Sequence, residues 1–328
     1  MYTTSTNSPD RVRARAVRFG MQYGIVGVLA AILIAAVLIY PGFLAPRNLE
    51  NLLTQNFAVA VVAVGMTLVI ISGGFDLSVG STYALSSVTF AGTATATGDV
   101  YVAAAATIAV GLSCGAVNGF FVSYIGVNPF IATLGTMSLY SGIAYVASSS
   151  TPFVVTDPDF KVLAAGRLAG VPWSILIMIA VFVVFALLMA KTTYGRSLYA
   201  VGGNREASWL SGIRVREASG SVYVIVAVLA SVGALVDSSR LGVGQANIGG
   251  MLALDAITIV IIGGTALTGG QGAIWRTAVG LVILATITNI FYNINVSQQW
   301  QLVAKGVIVL LAVSADVLIR RSRSRGAG

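Results

Sequence analysis

The chain has 328 residues, 57% of them hydrophobic and only 9% charged, with a net charge of +8. A soluble domain carries about 25% charged residues, so these few charges exclude a water-facing surface of this size and make lipid the solvent for most of the chain. The cations cluster beside hydrophobic runs, at 11–18, 191–216 and 320–325, which is where cytoplasmic loops meet anionic lipid; membrane lipid is an expected partner and nucleic acid is not.

In chain order, residues 1–20 read as a basic cytoplasmic tail, disordered at its start. The run 21–40 is long enough to cross a bilayer and no small-residue cleavage site follows it, so it reads as an uncleaved first helix. Further runs of spanning length lie at 52–72, 77–97, 101–124, 129–149, 173–190, 220–239, 253–267, 273–291 and 299–319. The expectation is an all-α integral membrane protein of about ten transmembrane helices. The run 253–267 is short for a full crossing and reads as a broken or re-entrant segment. Residues 21–319 then form the membrane domain and 320–328 a second basic cytoplasmic tail.

Ten crossings put both termini on one side. With that side cytoplasmic, fourteen of the nineteen Lys and Arg residues fall inside, in accord with the positive-inside rule. Two connections are long enough to fold: an outer loop at 150–172, rich in Pro and Asp, and a basic inner loop at 191–217. A faint internal echo relates 67–73 to 258–264, and Leu77, Ser78 and Gly80 then match Leu267, Thr268 and Gly270. Transporters carry internal repeats, but apolar helices ending in Gly also look alike, and these residues alone favour neither account.

The segment 72–81 is the most informative. Gly73, Gly74 and Gly80 interrupt an apolar pattern around Asp76 and Ser78. Glycine permits special backbone angles and close helix approach. A carboxylate there must face protein, water or a helix N-terminus. Asp76 can cap a helix beginning at Leu77 by accepting from the N–H of Ser78 or Val79; the second reading places it on a substrate path. In the inner loop, Asn204 is a good N-cap and Glu206 suits the first turn of a helix. Ala207, Leu210 and Ile213 share a face, with Trp209 beside them. This amphipathic helix either rests on lipid headgroups or docks on a partner protein.

The chain has no His, the commonest general base and metal ligand, and Cys114 alone forms no internal disulfide. No nucleophile–base pair or metal cluster is visible, so an enzyme is not expected, nor a cofactor in this chain. No phosphate-binding G-x-x-x-x-G-K-[ST] loop occurs, so this chain has no Walker-type site to hydrolyse ATP, and ATP-driven transport would take its energy from a separate subunit. Later spans hold Asp237, Arg240, Asp255, Arg276, Lys305 and Asp316. Helical spacing pairs Asp237 with Arg240, and Asp255 with Lys305 is a long-range pairing; structural pairing or snorkelling is the expected role of all six. An ion-coupled secondary transporter or channel is the alternative class, but the spans hold few carboxylates to build its ion sites.

The run Gly-Gly-Phe-Asp-Leu-Ser-Val-Gly-Ser at 73–81 resembles the signature of permease subunits of ribose-type ABC importers. Blocks at 128–137, 194–196, 200–204, 210–213, 254–257, 262–265 and 269–272 follow in that family's order, so the resemblance covers 48–316. Ser141 departs from the usual Arg, 148–150 from a Gly-containing turn, and Arg276 from a Gly. The resemblance implies a permease for a monosaccharide or related small polar solute, in the cell inner membrane, working by alternating access. It implies a second permease copy as a homodimer, a cytoplasmic ABC ATPase and a periplasmic or surface-tethered sugar-binding protein. It also makes 204–213 the coupling helix that contacts the ATPase.

Overall fold

The computed structural model describes residues 9–325, and the side chains of 24–311, 313 and 314. The chain runs through α1 (Pro9–Ile39), α2 (Pro46–Gln55), α3 (Phe57–Ile71), α4 (Val79–Thr97), α5 (Val100–Gly119) with a π-helical continuation Phe120–Ile125, and α6 (Pro129–Ala147). An irregular segment follows, with β1 (Phe153–Val154), α7 (Val162–Ala165), β2 (Arg167–Leu168) and β3 (Val171–Pro172). Then come α8 (Trp173–Lys191), α9 (Thr193–Gly203), α10 (Arg205–Leu210), α11 (Val215–Leu241), β4 (Val243–Gly244), α12 (Leu252–Ile262), α13 (Ile274–Asn293) and α14 (Gln298–Arg325). Each of the ten apolar runs coincides with a helix, and the protein is an all-α membrane bundle.

Among the described residues, five helices are long and apolar enough to cross a membrane, and the α2–α3 pair, bent by 52°, has the composition of a broken span or a re-entrant loop. α4 has the length but carries hydroxyls, which it uses inside the bundle: Ser86 bonds Ser231 at 2.8 Å and Ser87 bonds Ser238 at 2.7 Å, both on α11. α12 has eleven residues, too few to cross. The α2–α3 bend falls at Asn56, whose Nδ2 donates to the Leu52 carbonyl at 2.8 Å and ends the polar α2 there. α1 begins at Pro9 and α14 reaches Arg325, so helix extends into both basic segments expected as tails. The side chains of those segments, and of Asp316, lie outside the described residues.

The core is built on α3, fourteen of whose fifteen residues are buried, and on α11, which packs against α3, α4 and α5. In lipid, burial of apolar surface does not drive helices together, so close backbone approach and interhelical hydrogen bonds carry more of the association. Gly111, Gly115 and Gly119 on α5 provide that approach. A Cβ on Gly115 would lie 2.5 Å from Val224 Cα and one on Gly119 2.7 Å from the Gly220 oxygen, both on α11. At one end of the bundle, β1 pairs antiparallel with β4 and Arg167 pairs with Glu50 of α2. At the opposite end lie α9 and α10.

Candidate translocation and coupling sites

α3 ends in a left-handed turn at Gly73, with φ of +83°, and Gly74 donates back to the Val69 carbonyl at 2.9 Å. Asp76 follows, fully buried. Its Oδ1 accepts from Ser78 N at 2.8 Å and from Ser78 Oγ at 2.6 Å. Asn118 of α5 donates to Ser78 Oγ at 2.7 Å and reaches Asp76 Oδ2 at 3.4 Å, and Thr136 of α6 donates to Asn118 Oδ1 at 2.7 Å. The carboxylate therefore closes the turn before α4, which starts at Val79, and ties the break to α5 and α6. Asn118 and Thr136 escaped sequence reasoning because they lie in other apolar runs and no local spacing joins them to Asp76.

A second break lies between α11 and α12. After Gly242 (φ +69°), β4 pairs with β1 of the 150–172 segment and the chain then runs non-helical alongside α4. Gln245 N donates to Ser87 Oγ at 3.3 Å, and four residues on Gly249 meets Gly80 backbone to backbone, where a Cβ on either glycine would overlap the other's carbonyl oxygen. From Ser87 to Gly80 is about 10 Å of helix axis, so α12 starts well inside the bundle. Non-helical backbone at membrane depth is tolerated where it is buried in protein or lines a water-filled cavity. Here it lines a cavity of about 460 Å³ between α4, α6 and α12. Ser81, Ser138 and Ser141 face that space beside Ile248, Gly249 and Gly250, and no charged side chain does. The run 253–267 reads in the sequence as a broken or re-entrant segment, whereas the non-helical stretch before it carries no periodic signal.

The internal echo has a structural counterpart. Ser72, Gly73 and Gly74 donate to the carbonyls of Leu68, Ile70 and Val69; Gly263, Gly264 and Thr265 donate to those of Ile259, Ile261 and Val260. Gly264 repeats the left-handed turn at φ +80°. The same cap thus ends α3 and α12, which pack side by side.

In the inner loop, Asn204 Oδ1 accepts from Ala207 N at 2.9 Å and caps α10, with Glu206 in its first turn. Ala207, Trp209 and Leu210 are exposed, the last two at 68% and 72%. Ile213 does not continue that face. Gly212 turns left-handed at φ +81°, Ile213 N returns to the Ser208 carbonyl, and the Ile213 side chain packs on the core. A groove of about 870 Å³ separates Trp209 from Tyr124 and is edged by Arg205, Arg214 and Arg216. α9, which precedes this helix, was not foreseen: its Gly-rich sequence gives little helical signal, and Thr192 Oγ1, accepting from Gly195 N at 3.2 Å, starts it.

Asp237 accepts from Arg240 at 3.2 Å and, on its other oxygen, from the Tyr83 hydroxyl of α4 at 2.9 Å. Lys305 of α14 reaches Asp255 Oδ2 at 2.9 Å, in the first turn of α12 where a carboxylate suits the helix dipole. Arg276 stacks over Trp275, 5.4 Å from the ring centroid. Tyr83 carries no local sequence signal for its partner 154 residues away.

Residues 48–313 match the family described as branched-chain amino acid transport system / permease component. A ribose import permease protein of Bacillus subtilis (strain 168) is 36% identical over 293 residues, covering 89% of this chain and 91% of the relative. Its counterpart in Escherichia coli (strain K12) is 38% identical over 299 residues, covering 90% and 93%. The L-arabinose transport system permease protein of Escherichia coli (strain K12) is 34% identical over 295 residues, covering 90% of each. No solved structure matches the chain.

Proposed function

We infer the function from a premise already established, that this chain belongs to the family of transport-system permease components matched over residues 48–313, and propose that its cargo is a monosaccharide or a closely related uncharged polyol. The chain is not an enzyme; it is the membrane-spanning subunit of an ABC importer, in the cell inner membrane, and an ATPase and a binding protein work with it. The observation that carries the substrate class is the cavity beside the second break. Its polar groups are the Ser81, Ser138 and Ser141 hydroxyls and the unwound backbone of 248–250, with no charged side chain to receive the ammonium or carboxylate of an amino acid. Hydroxyls and backbone amides can exchange hydrogen bonds with a sugar as it sheds water. The relatives that import ribose and L-arabinose point the same way.

In this reading, alternating access moves the two broken segments that wall the cavity, and α10 presents Trp209 and Leu210 to the ATPase. A second copy of the chain completes the path. The exposed flank of α6, with Ile131 at 64% and Val146 at 81%, stands beside the cavity and gives it a surface to meet. Both termini and the 191–217 loop lie in the cytoplasm.

The test is uptake. The permease is reconstituted with its ATPase and binding protein in proteoliposomes, and ATP-dependent entry of labelled ribose, arabinose and leucine is measured. Entry of a pentose without leucine is the expected result. Leucine entry without sugar entry overturns the substrate assignment.

A further inference from the structure

The last turn of α9 is seated between the end of α3 and the 269–272 turn, with backbone against backbone. A Cβ on Gly202 would overlap the Ile71 carbonyl oxygen and lie 2.7 Å from Gly270 N. One on Gly269 would lie 2.8 Å from the Gly202 oxygen and 3.1 Å from Gly73 Cα, and one on Gly270 2.9 Å from Gly203 Cα. Gly270 N donates to the Ile71 carbonyl at 2.8 Å, and the Tyr199 hydroxyl of α9 donates to the Gly272 carbonyl at 2.9 Å. Three chain segments remote in sequence are joined here backbone to backbone, with the Tyr199 side chain adding one further hydrogen bond.

What each segment leads to gives the joint its meaning. Ile71 and Gly73 belong to the cap that ends α3; three residues after Gly73 comes Asp76, and then Gly80 and Ser81 on the cavity wall. Residues 269–272 follow the repeated cap that ends α12, whose first turn, Ala253 and Leu254, forms another part of that wall. Asn204, next after α9, caps α10.

We propose that this backbone joint relays movement of α9 and α10 to both broken segments at once, with Gly202 and Tyr199 as the positioning residues for transport. The inference rests on the reading that α10 contacts the ATPase. Backbone in direct contact has no flexible side chain to absorb a displacement, and close-packed interiors transmit strain. A shift of α9 then moves the α3 cap and the 269–272 turn together, changing two walls of the cavity in one step. A joint made through side chains at this place would let one segment lag behind the other.

Gly203 provides the control. A Cβ there meets nothing within 4 Å, whereas one on its neighbour Gly202 overlaps backbone. Gly202→Ala, Gly203→Ala and Tyr199→Phe are assembled with the ATPase and binding protein in proteoliposomes, and ATP hydrolysis and ribose uptake are both measured. Gly202→Ala is expected to keep the ATPase bound and hydrolysing while uptake per ATP falls about tenfold. Tyr199→Phe, which removes one hydrogen bond and adds no atoms, is expected to fold normally and lower uptake per ATP about threefold. Gly203→Ala is expected to match the parent in both measurements. Parent-like uptake per ATP in Gly202→Ala overturns the relay. If Gly202→Ala does not assemble, Tyr199→Phe decides, and an unchanged ratio there overturns it equally. Failure of the parent permease to bind any ATPase would instead strike the reading beneath it.

Discussion

Asp76 has every feature of a group that holds structure together: full burial, a short turn closed by its own carboxylate, and a chain of hydrogen bonds reaching α5 and α6. Replacement by Asn keeps one carbonyl oxygen to accept from Ser78 N and Oγ. Replacement by Leu leaves those donors and Asn118 buried without the carboxylate, each at about 1–3 kcal/mol. Asp76→Asn should therefore retain most of the folded, monodisperse yield in detergent, and Asp76→Leu should lose most of it. Normal yield of Asp76→Asn with no transport would show that the charge itself acts in the pathway. The sequence made Asp76 legible because a carboxylate among glycines in an apolar run needs an explanation. Its partners were not legible, since a hydrogen bond across 42 residues leaves no periodic trace. Asp237 is intermediate: Arg240 is one helical turn away and could be read, whereas Tyr83 could not.

Among the elements, the long apolar helices were legible from hydropathy, because a backbone in lipid must satisfy its own polar groups and leaves a run of spanning length. The elements that escaped are those where the backbone finds partners elsewhere. The non-helical segment before α12 bonds to α4, and the end of α9 packs against the backbone of α3 and the 269–272 turn. α10 was legible through its cap, although Ile213 turns away from the exposed face because Gly212 reverses the chain first. In the proposed coupling role, that leaves Leu210 and Trp209 as the contact surface. Leu210→Asp would bury an unpaired carboxylate in an ATPase contact, which costs several kcal/mol, enough to lose a modest subunit interface. Because Leu210 is exposed in the permease alone, the variant should reach normal membrane levels, lose co-purifying ATPase and lose transport, while Leu210→Met keeps all three. A helix that only rests on headgroups predicts that Leu210→Asp still binds the ATPase and moves substrate.

At the scale of the whole molecule, α11 sets the axis. Its 27 residues span about 40 Å, enough to cross a bilayer and emerge on both sides. The inner loop enters α11 at Val215. The outer segment is fastened to its other end, where Val155 N donates to the Gly242 carbonyl at 2.9 Å and Ser239 Oγ to that of Phe160 at 2.7 Å. In the proposed topology the 150–172 and 191–217 loops therefore face opposite compartments, whichever way the bundle is inserted. The proposed direction of insertion rests on charge: the end with 191–217 carries five Lys and Arg residues on that loop alone, the pattern of cytoplasmic loops. Asp159 and Arg205 are exposed on the two loops and serve as reporters. With Cys114 replaced by Ala, Asp159→Cys should react with an impermeant maleimide added to spheroplasts, and Arg205→Cys should react only after the membrane is opened. Because Cys114 is buried in the parent, its removal should not alter the exposed ends. Modification of position 205 from outside, with 159 protected, would invert the whole bundle and with it place α10 beyond the reach of any cytoplasmic ATPase.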